Sequence, residues 1–299
     1  DLGGRPRRRG ARRAAHAGTR DLPRRRPALT RNPNEKETTM KRFAIAVFAA
    51  LGLLTGALEA RADALANILK KGVVRIAILL DAPPFGYVNQ DRKPEGFDHD
   101  LAEMIAKALG VKLEIQQVTG PNRIPFLLTD KVDIIVAFIG LTPERARQVM
   151  FTAPYAESVL GVYGPKSVAV RSAAELGNIR VVTPKGGTAD VGLTAMNPRA
   201  NIMRTEDDAT AATAYITGQA DLFATNNMLL PDYIKRAPNK EFDLKFAIRR
   251  SPAHIAVRMG DFTLLQWLNS FIFFNTMNGE LDKLHQKWLG APMQPLPTL

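Results

Sequence analysis

Two apolar runs, "VVRIAILL" (residues 73–80) and "VDIIVAFI" (132–139), constrain the fold most tightly. Strands this continuously apolar must be buried on both faces, which is the condition of a parallel sheet covered by helices. The segments between them supply those helices. Residues 65–72 read as a short helix closed by Gly72, and residues 97–110 as an amphipathic helix closed by Gly110. Residues 111–118 alternate as a strand, and 123–130 read as a short helix. The order β-α-β-α-β predicts an α/β fold with a mostly parallel sheet.

The pattern then restarts. Helices are expected at 169–178, 189–198 and 208–218, with strands at 179–188, 200–207 and 220–226. A strand at 253–259 and two helices over 261–290 close the chain. A second α/β lobe nested in the first follows, with the chain crossing between lobes near 157–162 and 249–254. The expected division is 63–157 with 252–299 as lobe 1, and 158–251 as lobe 2.

Charge locates a leader. Of a formal net charge of +12, residues 1–62 carry 15 Lys/Arg against 5 Asp/Glu, so the remainder of the chain is close to neutral. Basic character therefore argues for no nucleic-acid partner. Residues 1–39 are Arg- and Pro-rich with no apolar periodicity, which predicts disorder, and they read as an over-extended frame ahead of Met40. Residues 40–62 read as a signal peptide. Lys41 and Arg42 precede the apolar stretch 43–58, and Ala60-Arg61-Ala62 fits a cleavage site, so the mature chain is expected to start at Asp63 and to be exported.

Catalytic signals are sparse. There is no cysteine, and the four histidines, His16, His99, His254 and His285, are scattered without ligand spacing, so no metal or cofactor is expected. The segment "GLTPERAR" (140–147) instead suggests binding. A buried strand empties into a helix whose cap is Thr142 and whose first turn carries Pro143 and Arg145. A guanidinium in that place can reach over the strand mouth and offer a two-donor fork to a carboxylate. "PPF" (83–85) and "PKGGT" (184–188) also follow strand ends, where open α/β sheets bind ligands. Asp98 reads as a helix cap.

The stretches "PPFGY", "GFDHDLAEMIAKALGVKLEI", "NRIPFLLTDKVDIIVA", "LTPERARQVMFTAPY", "VVTPKGGT", "GQADLF" and "GELDKLHQKWLG" occur in that order. Together they resemble the periplasmic solute-binding proteins of polar amino-acid ABC importers, family 3. The resemblance implies a two-lobe type II periplasmic binding fold with two crossing strands as hinge. It also implies a monomer that delivers a small carboxylate-bearing solute to a membrane permease. Arg145 takes the register of the family's carboxylate-binding arginine, and Arg123 that of an arginine found in binders of acidic amino acids. Gly140, Thr142, Phe138, Phe85, Lys185, Thr188 and Asn226 complete the implied ligand contacts. Five positions depart from the pattern: Ala82 and Gly120 stand where aromatics are usual, Gly140 where a hydroxyl is usual, Leu79 where a polar contact is usual, and Asn226 where an aspartate pairs with the ligand's ammonium. Those departures open an alternative, an organic acid without an α-ammonium. A cyclohexadienyl dehydratase-like enzyme is the other alternative, with Asp81, Glu144 and His254 as its candidate acids and bases.

Overall fold

The computed structural model describes residues 63–298; the expected signal peptide and the Arg-rich segment before it lie outside the described residues. Eleven strands and nine α-helices follow one another among the described residues. The helix α1 (Ala64–Lys71) is capped by the Asp63 carboxylate, which accepts the Leu65 N–H, and ends at Gly72 in the left-handed conformation. Strand β1 (Val73–Leu79) is buried along nearly its whole length. Three short strands, β2 (Asp81–Ala82), β3 (Gly86–Val88) and β4 (Pro94–Glu95), make a small separate sheet. Then come α2 (Phe97–Leu109), β5 (Lys112–Val118), α3 (Arg123–Leu128), β6 (Ile134–Gly140) and α4 (Pro143–Ala146).

The second half contains β7 (Val149–Gly164), β8 (Val181–Pro184), α5 (Thr188–Met196), β9 (Ile202–Thr205), α6 (Asp208–Ile216), β10 (Leu222–Asn226) and α7 (Leu230–Arg236). The chain ends with β11 (Asp243–Arg258), α8 (Phe262–Met277) and α9 (Glu280–Leu289). The helix expected at 169–178 is only a 3₁₀ turn, Ala173–Leu176. Gly177 stops it after one turn, in a backbone conformation that L side chains rarely adopt. No helix among the described residues is long and apolar enough to cross a membrane.

The large sheet runs β5-β1-β6-β11-β7-β10-β8-β9. Strands β5, β1 and β6 are parallel to one another, as are β10, β8 and β9. Between these triads lie β7 and β11, two 16-residue strands paired antiparallel from Asp243↔Gly164 to Arg258↔Val149. At one end β11 pairs with β6, and at the other β7 pairs with β10. Each long strand spans about 50 Å, enough to belong to both triads. Their pairing is interrupted by register shifts flanking Phe246, Arg249 and His254, and such bulges bend and loosen a ladder locally.

The larger apolar core surrounds β1, β6 and α2, with Ile76, Ile78, Leu101, Ile105, Ile134 and Val136 fully buried. A second core packs Val162, Leu176, Val181, Leu193 and Leu222. Asp98 is not the cap of α2. Gly96 holds the cap position and Asp98 lies inside the first turn, where its carboxylate accepts the Tyr155 O–H at 2.7 Å. Complete burial pushes the Asp98 carboxyl up to about 7. A carboxyl raised above its unfolded value stabilises the fold fully in acid, and that contribution is lost as pH climbs through the raised pKa. Asp98→Asn should therefore gain stability relative to wild type between pH 5 and pH 8, measured by urea unfolding. A stability difference constant with pH would mean that Asp98 ionises as easily folded as unfolded.

Candidate functional site

The carboxyl ends of both triads open onto one cavity between them. Its walls include Phe85, Arg123 and Phe138 from the β1–β6 side and Thr183, Thr188, Asp208 and Asn226 from the other. Ser158 and Ser251, on the two long strands, complete it. The cavity measures about 60 Å³.

Phe85 and Phe138 form the apolar wall, with ring centroids 3.6 Å apart in a stacked arrangement. Phe138 carries this ring from a left-handed backbone, φ 43°. That conformation costs about 1–3 kcal/mol for a non-glycine residue. The Tyr155 hydroxyl offsets it by accepting the Phe138 N–H at 3.1 Å, and Tyr155 is itself fixed by Asp98.

Arg145 is buried, at 7% exposure, behind the wall rather than on it. The Thr142 hydroxyl caps α4 by accepting the Arg145 N–H, which places the side chain beneath the end of β6. Its Nη1 donates to Gly140 O at 2.6 Å and to Thr188 Oγ1 at 3.0 Å, and its Nη2 donates to Gly186 O at 2.9 Å. It thus bridges the end of β6 to the turn before α5. Arg123 is equally buried and donates to Ala137 O at 2.9 Å. Arg249, which the sequence reading did not single out, donates to Leu141 O at 2.8 Å, and its Nε is buried with no partner among the described residues. Burial first, then the positive fields of Arg123 and Arg249, pulls the Arg145 guanidinium down to about 9. The cluster is held by neutral carbonyls, and an anion brought among these groups would relieve it.

The two glycine departures have a shared steric cause. A Cβ on Gly140 would sit 2.6 Å from Ser251 Oγ and 2.9 Å from Thr188 Cγ2; one on Gly120 would sit 2.7 Å from Lys185 O. Both mark places where the two sides of the cavity approach. The helix α5 begins at Thr188, with Gly187 at the cap position and no side-chain cap, so its first-turn amides remain available to an anion. Asp190 holds the preceding turn by accepting the Gly186 N–H at 2.9 Å, and Arg204 anchors Asp190 in turn.

Of the nine residues singled out from the sequence, Phe85, Arg123, Phe138, Thr188 and Asn226 line the cavity. Gly140, Thr142 and Arg145 stand directly behind it, and Lys185 is exposed, contributing only its carbonyl to the approach at Gly120. One carboxylate does stand among the cavity walls, away from the position that Asn226 occupies. Asp208, half-buried in the first turn of α6, lines the cavity. Burial and the nearby Asp81 push its carboxyl up to about 7, against the pull of Arg123. Sequence reasoning took Asp208 only as the start of a helix. Ser158, Thr183, Thr225 and Ser251 were missed as well, because nothing local separates them from strand hydroxyls.

The proposed acids and bases lie elsewhere. Asp81 reaches across to the first turn of α6, where Oδ2 accepts the Asp208 N–H at 2.8 Å and the Ala209 N–H at 3.4 Å. Glu144 is exposed, and His254 is buried against Thr152 O at 2.7 Å. Among the described residues one group, His99, Asp100 and Glu103, has ligand atoms close enough to hold a metal ion, on α2 away from the cavity. Its Asp100 already accepts from Lys287 and Trp288.

The chain belongs to the bacterial extracellular solute-binding proteins, family 3, whose model matches residues 74–291. It is 31% identical over 237 residues to the ABC transporter glutamine-binding protein of Bacillus subtilis, covering 77% of this chain and 86% of that protein. A cyclohexadienyl dehydratase of Pseudomonas aeruginosa is 28% identical over 83% of this chain and 94% of its own. Among solved structures, the solute receptor for L-cysteine of Neisseria gonorrhoeae superposes with a TM-score of 0.71 at 34% identity, over 75% of this chain and 93% of its own. The fold is accordingly the two-lobe type II periplasmic binding fold, with β7 and β11 as the crossing strands. Its members are for the most part binding proteins, and the role of this chain is to bind a solute.

The steric account of Gly140 is open to test. Adding one methyl where Thr188 and Ser251 close in should disturb packing by about 1–3 kcal/mol. Gly140→Ala should then weaken solute binding about tenfold or more in calorimetry, with an unchanged far-UV circular dichroism spectrum. Unaltered affinity would mean that this approach is not part of the bound form.

Proposed function

We propose that this chain is the extracytoplasmic substrate-binding component of an ABC importer, which captures a small carboxylate-bearing solute between its lobes and delivers it to the membrane permease. The observation that carries this reading is the cluster of buried Arg145 and Arg123 with half-buried Arg249 beside the cavity, whose hydrogen bonds go only to main-chain carbonyls and Thr188. A carboxylate entering there displaces Gly186 O and Thr188 Oγ1 from the Arg145 fork and meets the free amides of α5. The relatives named as amino-acid-binding proteins favour a polar or acidic amino acid. The lobes are 63–157 with 252–299, and 158–251, hinged where the β7–β11 ladder is bulged. The secretory leader of residues 40–62 delivers the chain to the periplasm as a monomer that needs no cofactor or metal.

The Asn226 amide supports the organic-acid reading at one point. Its Oδ1 accepts the Met228 N–H at 3.0 Å, which leaves an amide NH₂ to face the cavity. The dehydratase reading has less support, since Asp81, Glu144 and His254 all stand off the cavity wall. A thermal-shift screen of amino acids and organic acids tests the binding role. A solute at a hundredfold excess over its Kd should stabilise the protein by about 2.7 kcal/mol, and prephenate and arogenate should not be turned over. No shift with any carboxylate would overturn the reading, and so would turnover of prephenate or arogenate.

A further inference from the structure

Resting on that reading, we propose that Asp208 is the anion that holds the solute's ammonium group, so that the bound solute is a zwitterionic amino acid rather than a bare organic acid. Three observations carry this. First, Asp208 is the sole acidic residue among the described residues that line the cavity. Its main-chain N–H is held by Asp81 at 2.8 Å, while its carboxylate accepts no hydrogen bond from any described residue. Arg123 pulls on Asp208 through its field, but its donors go to Ala137 O and Gly120 O instead. The carboxylate is thus charge-balanced at a distance and free to accept.

Second, Asn226 is less suited to an ammonium than a carboxylate is. Its Oδ1 already accepts the Met228 N–H and brings no negative charge to a group that offers only donors. Third, the cavity wall around Asp208 carries acceptors without partners. The hydroxyls of Ser158, Thr183 and Thr225 all line the cavity, are at most 3% exposed, and have no hydrogen-bond partner among the described residues. Buried hydroxyls of this kind are ordinarily satisfied. Topology groups two of them with Asp208. Thr183 stands at the end of β8 and Thr225 at the end of β10, while α6, which starts at Asp208, follows β9 and packs on all three strands. One carboxylate and neighbouring hydroxyl oxygens at the ends of adjacent strands can accept the three N–H bonds of an ammonium. The carboxylate end of the solute lies toward Arg145 and the first turn of α5. The negative charge that the family pattern places at the end of β10 is then supplied from the start of α6.

The experiment is calorimetric titration of wild type and Asp208→Asn with the twenty L-amino acids and cystine, and with the 2-oxo acids that correspond to them. Wild type should bind at least one amino acid and bind its 2-oxo acid more weakly. Asp208→Asn should lose about tenfold or more in affinity for that amino acid and change its affinity for the 2-oxo acid less than threefold. Urea unfolding midpoints of Asp208→Asn, and of Asp208→Ser as a second variant, should match wild type or exceed it. Equal amino-acid affinity in wild type and in both variants would overturn the assignment of Asp208. So would a wild type that binds the 2-oxo acids in preference, which leaves the carboxylate-receptor reading intact. Binding of neither set would remove both.

Discussion

The site depends on a buried guanidinium without an acid. Arg145 joins Gly140 O, at the end of β6, to Gly186 O and Thr188 Oγ1, before and at the start of α5. These acceptors come from opposite sides of the cavity, so the group proposed to receive an anion also ties together the two sides. A buried cation is strongly unfavourable unless paired, and neutral carbonyls compensate it only partly. An anion among Arg145, Arg123 and Arg249 favours the arrangement in which all three are enclosed. On the proposed reading, binding and closure are coupled through one charge imbalance, and the long β7–β11 pair, bulged where it passes between the triads, is the element to absorb the movement.

Three of the departures from the family pattern fall into two kinds. Gly120 and Gly140 are packing solutions: each stands where a side chain would collide with the opposite side. Their loss of an aromatic and a hydroxyl is balanced in space by Thr188 and Ser251, which crowd Gly140, and by the Phe85–Phe138 stack. Asn226 is different in kind, because it removes charge from the wall. Asp208 brings a negative charge to the same cavity from another element.

Much of the fold was legible because its signals are local. Continuous apolar runs marked β1 and β6, and Gly72 and Gly110 marked helix ends that the structure closes with left-handed glycines. Thr142 was readable as a cap from its place before Pro143. Long-range facts were not legible. The sixteen-residue crossing strands were underestimated because their middles are polar or bulged, and Asp98 was read as a cap although Tyr155, 57 positions away, is its partner. The reason for Gly140 lies in Thr188 and Ser251, and the role open to Asp208 depends on which strands end beside it. Neither is written within a window of ten residues.

The central claim is that Arg145 carries the carboxylate of the solute. Calorimetric titration of Arg145→Ala with a solute that binds wild type tests it most directly. Two charge-assisted hydrogen bonds lost should lower the affinity by about a hundredfold or more, while circular dichroism and the urea midpoint show a folded protein. Wild-type affinity in a folded Arg145→Ala would contradict the account.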